Sequence, residues 1–155
     1  KYSIIRIGSL TKKKDPLIKN ACVFRIARPY KLFKQDVGGI HFDLNYGGRV
    51  NYHLNSFLTV WIPLIGFNRN YSLKLFPKTH KIIHSNHNLD KKNKFVSPVF
   101  NKTYTKKFLG LRPNLKLGQA IIFHSNLLHG ASYNLGNLTR FSIELRICNN
   151  KTFIK

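Results

Sequence analysis

The stretch TRFSIELRI, residues 139–147, decides how the chain is read. Strand alternation puts Arg140, Ser142, Glu144 and Arg146 on one face and Phe141, Ile143, Leu145 and Ile147 on the other. An ordinary sandwich strand turns its apolar set inward and wets its polar set. The sequence, however, has only five acidic residues against 27 Lys and Arg. A glutamate between two arginines on one face fits a designed polar interior, with the polar set lining a cavity. For this strand taken alone, both arrangements stay open.

Working outward, similar short runs rich in β-branched and aromatic residues recur: ACVFRIAR (21–28), GIHFDLNY (39–46), FLTVWIPL (57–64), YSLKLFP (71–77) and QAIIFHS (119–125), with LLHGASYN (127–134) a weaker one. Gly, Pro and Asn punctuate the gaps, and no stretch has an amphipathic helical period. Many short strands in 155 residues, 43% hydrophobic, predict one all-β domain, an antiparallel sandwich or jelly-roll barrel spanning 1–155. Residues 78–107 are polar and basic and read as a long loop or insertion. The chain starts at Lys1 and has no Met, so an N-terminal portion is expected to be missing.

The formal net charge of +22 admits an anionic partner. Lys and Asn are spread throughout, so compositional drift accounts for most of it. A nucleic-acid-binding β-domain would alternate basic and aromatic residues on one exposed face, a pattern not found. A carboxylate-pair hydrolase is nearly excluded, because Asp15, Asp36, Asp43, Asp90 and Glu144 are all the acids there are. There is no membrane-length apolar run, signal peptide, Gly-rich phosphate loop or nucleophile elbow. Two cysteines, Cys22 and Cys148, do not make a disulfide scaffold. Their strand phases put them on opposite faces, and a cytoplasmic location follows by default.

His41 and Asp43, in IHFDLNYGG (40–48), project from one strand face. His129, just after QAIIFHS, supplies a second imidazole. Two imidazoles and one carboxylate make the facial triad of non-haem iron oxygenases. Arg140 follows eleven residues after His129, with Ser142 on the same face, and an arginine fork beside a hydroxyl can grip a carboxylate. Each residue also has an ordinary alternative. The histidines can be rim residues, Asp43 a turn cap, Arg140 and Arg146 partners of Glu144, and Trp61 core. Arg25 is inward by phase, a second anion contact. His53, His80, His84, His87 and His124 are read as non-ligands.

The ordered set His41-Phe42-Asp43, His129, Arg140 resembles the His-x-Asp … His … Arg pattern of the 2-oxoglutarate-dependent Fe(II) oxygenases. VWIPL (60–64), FPKTH (76–80) and HGASYNLGNLTRFSIELR (129–146) are similar to the phytanoyl-CoA dioxygenase-like branch. Lys78-Thr79 departs from that branch's frequent Gly-Ser. The resemblance covers about residues 23–147. It implies a double-stranded β-helix (jelly-roll, cupin-like), Fe(II) held by His41, Asp43 and His129, 2-oxoglutarate and dioxygen as cosubstrates, and hydroxylation of a C–H bond. It implies that Arg140, assisted by Ser142, binds the distal carboxylate of 2-oxoglutarate, with Thr59 and Trp61 flanking it and Arg146 next in line. It implies that N-terminal helices cover the barrel; without them the chain would be poorly soluble or would homodimerise through the bare face. The basic 78–107 loop, over the mouth, points to a small anionic substrate such as a sugar nucleotide, a carbohydrate or an acyl thioester. A catalytically inert cupin-like binding module is the first rival.

Overall fold

The computed structural model describes residues 3–4, 22–32, 36, 38–43, 58–82, 99–130 and 132–148. Five strands form one antiparallel sheet: β1 (Ser3–Ile4), β2 (Cys22–Ala27), β3 (Leu58–Ile65), β4 (Ile121–His124) and β5 (Arg140–Cys148). β5 is central. One edge pairs with β3, which carries β4 beyond it; the other pairs with β2 and, at its end, β1. Thr59 lies opposite Arg146, and Trp61 opposite Glu144. Ala27 lies opposite Arg140. The β3–β5 register slips between Pro63 and Ile65, where proline has no N–H to give to the ladder.

A second layer is held by single bridges rather than long strands. His41 pairs with His129, His129 with Leu75, and Leu75 with Leu111, all antiparallel. The Phe100 N–H donates to Ile40 O at 2.8 Å on the far side. Alternation gives this layer two faces. Trp61 and Phe123 of the main sheet pack with Leu73, Leu75 and Leu127 between the layers. Phe42, Phe76 and Leu128 point the other way, against Phe100 and Tyr104. The architecture is therefore all-β and antiparallel, as expected, although among the described residues 39–43 and 71–77 contribute bridges, not strands.

The 78–107 segment differs from the expected loop at both ends. A 3-10 turn, Thr79–Lys81, begins it. Near its close stands α1 (Lys102–Thr105), whose cap Asn101 accepts from the Tyr104 N–H at 2.8 Å. Phe100 and Tyr104 are buried core. The helix escaped periodicity because four residues carry none. Residues 83–98, with His84 and His87, lie outside the described residues, as does His53.

On β5 the inside-out expectation holds. Arg140, Ser142 and Glu144 are buried, while Phe141 is 37% exposed; on β2, Phe24 is 72% and Ile26 56% exposed. Cys22 lies opposite Leu145, three residues from Cys148. That is about 10 Å along a strand, beyond the reach of a disulfide.

Candidate metal centre

The bridge between His41 and His129 builds the site. Their backbones exchange two hydrogen bonds of 2.8 and 2.9 Å, and the Asp43 N–H donates to Ser125 O at 2.8 Å. His41 and Asp43, two apart, thus face the main sheet beside His129, although 86 residues separate Asp43 from His129 in sequence. His41 Nε2 lies 4.0 Å and His129 Nε2 3.6 Å from Asp43 Oδ1. One ligand atom from each residue falls within 4.8 Å of the others, the one such group among the described residues.

The tautomers are set by the backbone. His41 Nδ1 is 2.9 Å from Gly39 O, and His129 Nδ1 is 2.9 Å from Leu127 O. A carbonyl oxygen only accepts, so each Nδ1 carries a hydrogen, and each ring turns its Nε2 toward Asp43. Thr59 Oγ1 donates to Asp43 Oδ2 at 2.5 Å, which leaves Oδ1 facing the imidazoles. Burial, then the His129 charge, lowers the His41 pKa to about 4. Burial raises that of Asp43, but the charges of His129, Arg146 and His41 and the Thr59 hydrogen bond outweigh it and the net direction is down. A neutral imidazole and an ionised carboxylate are the forms that ligate a metal. Two Nε2 atoms and a carboxylate oxygen brought within 4.8 Å of one another are the donor set of a divalent metal, so these residues fit one.

Deeper along the same face, Arg140 is buried. Its Nη1 donates to Tyr71 O and Ser132 O at 2.8 and 3.1 Å, and its guanidinium carbon lies 5.8 Å from the Trp61 ring centre. Burial, then Arg112 and Arg25, lowers its pKa to about 10, so it stays charged at neutral pH. Arg140 Nε, Ser142 Oγ and Trp61 Nε1 are buried without a hydrogen-bond partner among the described residues. Unsatisfied buried donors are costly, and three on the inward side of β3 and β5 fit a polar ligand with acceptor oxygens.

Thr59, expected to flank the cosubstrate, hydrogen-bonds Asp43. Arg140 is not a partner of Glu144: Arg25 Nε sits 3.1 Å from Glu144 Oε2, and Arg146 Nη2 3.4 Å from Oε1. Arg146 also reaches to 3.7 Å from Asp43 Oδ1. His80 and His124 stand apart from the site, with ring centres 5.8 Å from each other. Sequence reasoning missed Gly130 and Arg112. Gly130, at φ 113°, lies where a Cβ would clash with Gly39 O and come within 3.1 Å of His41 Nδ1. Arg112 clamps Ser72 O and Tyr133 O beside the carbonyls that hold Arg140. Glycine after His129 was a visible signal; for Arg112 there was none.

No family model and no curated protein matches the chain. Solved structures do. The α-ketoglutarate-dependent carbocyclase SnoK from nogalamycin biosynthesis is 14% identical over 83% of this chain and 48% of its own, with a TM-score of 0.58. The epimerase SnoN, solved with Fe3+, α-ketoglutarate and nogalamycin RO, is 14% identical over 83% and 48%, at 0.57. EctD from S. alaskensis is 15% identical over 86% and 45%, at 0.55. The fold is that of the non-haem iron, α-ketoglutarate-dependent enzymes. The chain spans about half the length of these structures. Among the described residues no helix is long and apolar enough to cross a membrane.

Proposed function

We propose that this chain binds Fe(II) through His41, Asp43 and His129 and couples oxidative decarboxylation of 2-oxoglutarate to hydroxylation of a C–H bond in a small molecule. The observation that carries the reading is the convergence of two imidazole Nε2 atoms and Asp43 Oδ1, with both Nδ1–H groups tied to backbone carbonyls. A bound iron would supply dioxygen activation at positions the three ligands leave open. The chain's own residues orient and enclose. Gly39 O and Leu127 O fix the imidazoles, and Thr59 fixes the carboxylate. Arg140, steadied by two carbonyls, presents its Nε edge to the distal carboxylate of 2-oxoglutarate; Ser142 supplies a hydroxyl and Trp61 a wall and an N–H. Arg25, half-exposed beside Glu144, and Arg146 favour an anionic substrate, such as a sugar nucleotide, a carbohydrate or an acyl thioester.

The phytanoyl-CoA dioxygenase-like branch is the finer assignment. Support comes from the turn where FPKTH departs from Gly-Ser. Lys78 takes a left-handed φ of 68°, the conformation glycine prefers. The Thr79 hydroxyl donates to Phe76 O at 2.6 Å and accepts from the Leu128 N–H at 3.0 Å, as a serine could. The test is succinate release from 2-oxoglutarate on adding Fe(II), across a panel of anionic metabolites. Release that depends on His129 and rises with one panel member is the expected result; no release, or release unchanged in His129→Ala, refutes it.

A further inference from the structure

A line of alternating charge runs from Arg25 on β2 through Glu144 and Arg146 on the inward face of β5 to Asp43. Arg25 Nε contacts Glu144 Oε2 at 3.1 Å, Arg146 Nη2 contacts Glu144 Oε1 at 3.4 Å, and the same Nη2 lies 3.7 Å from Asp43 Oδ1. Asp43 Oδ1 is also the oxygen both imidazoles face. The Asp43 and Glu144 side chains are 1% and 6% exposed, and that of Arg146 14%, so water screens these charges little. A guanidinium at that oxygen repels any divalent ion seeking it. Glu144, the one other carboxylate that Arg146 contacts among the described residues, pulls it the other way, and Arg25 neutralises the far oxygen of Glu144.

We propose that Glu144 and Arg146 are positioning residues that set the metal site's affinity: Arg146 competes with a divalent ion for Asp43 Oδ1, and Glu144 draws Arg146 off that oxygen. The inference rests on the reading of His41, Asp43 and His129 as metal ligands. It predicts opposite signs for two variants. Glu144→Gln removes the carboxylate charge that Arg25 and Arg146 share, and with it the pull on Arg146 away from Asp43 Oδ1. Arg146→Gln removes the competitor. A purely structural role would weaken binding in both.

The experiment is anaerobic Co(II) titration of the full chain, followed by calorimetry and visible absorption, with circular dichroism as the folding control. Outer contacts to metal ligands commonly shift affinity by about 10- to 100-fold. Glu144→Gln should bind Co(II) about tenfold more weakly, and Arg146→Gln at least about threefold more tightly, than the parent chain. Equal or weaker binding by folded Arg146→Gln overturns the proposal. Should that variant not fold, Glu144→Asp decides instead: it upholds the proposal by restoring most of what Glu144→Gln loses, and overturns it by failing to. Absence of Co(II) binding to the parent chain, or undiminished binding by His129→Ala, overturns the metal reading itself and the inference with it. That outcome is distinct from a wrong sign at Arg146.

Discussion

One oxygen of Asp43 is held by Thr59 and the other faces the Nε2 atoms of two imidazoles, the donor arrangement a divalent metal needs. Its precision depends on a residue without a side chain. Gly130 follows His129 with φ 113° and lies against Gly39 O, the acceptor that fixes the His41 ring. Alanine there adds both backbone strain and a clash. Gly130→Ala should cost about 1–3 kcal/mol of stability and abolish Co(II) binding, read by denaturant melts and calorimetry. Binding retained at the parent affinity would mean that the His41 ring tolerates the shift. Arg140 makes a second test. Arg140→Ala should weaken 2-oxoglutarate binding by about 2–5 kcal/mol, the scale for losing one partner of a buried charge pair, while Co(II) binding stays close to the parent chain's. Unchanged 2-oxoglutarate affinity would remove Arg140 from that role and leave Arg146 as the next candidate.

Elements here are short, and their ends carry the information. The turn before the Thr79–Lys81 3-10 segment forces Lys78 into left-handed backbone at φ 68°. Lys78→Gly should stabilise the chain by roughly 0.5–1 kcal/mol, since glycine occupies that region without Cβ strain; a lower melting temperature would show that the lysine makes a compensating contact. Just past β2, Arg28 donates to Asp36 through its backbone N–H, Nε and Nη2 at 2.8, 2.8 and 2.7 Å. The Arg28 side-chain hydrogen bonds, then its backbone N–H, lower the Asp36 pKa from 3.8 to about 2. A depressed carboxyl contributes stability that is full above the unfolded value and is lost as pH falls through the folded one. The stability gap between the parent chain and Asp36→Asn should therefore be constant above about pH 4 and close toward about pH 2. Urea midpoints across that range check it, and a gap that widens on acidification contradicts it.

At the scale of the molecule, the inward polar face has an outward consequence. Phe24, Ile26, Ile122 and Phe141 are 72%, 56%, 62% and 37% exposed on the outer side of the main sheet. Apolar patches on that scale associate or bind a partner. The double variant Phe24→Ser with Ile122→Ser should reduce self-association in sedimentation velocity, while its stability stays within about 0.5 kcal/mol, as surface substitutions do. Equal self-association would put the contact elsewhere. The net charge of +22 opposes assembly through long-range repulsion, so the effect should be largest at high salt.

Much of this was legible in sequence because a strand's period is two. Arg140, Ser142 and Glu144 had to share a face, as did His41 and Asp43; the scarcity of acids pointed to an inward polar face on β5, but only the burial of Arg140, Ser142 and Glu144 decided it. The ordered His-x-Asp and His pattern marked three residues whose ligand atoms lie within 4.8 Å of one another. What the period could not supply was everything set by pairing between distant segments. Thr59 lies sixteen residues from Asp43, and only the packing of the second layer over β3 puts its hydroxyl on that carboxylate. The carbonyls of Tyr71 and Ser132 that hold Arg140, the Arg112 clamp behind them and the sharing of Arg146 between Glu144 and Asp43 are likewise contacts between chain positions with no common pattern. Alternation fixes which way a side chain points; the register and layer spacing that decide what it meets there are properties of the folded chain alone.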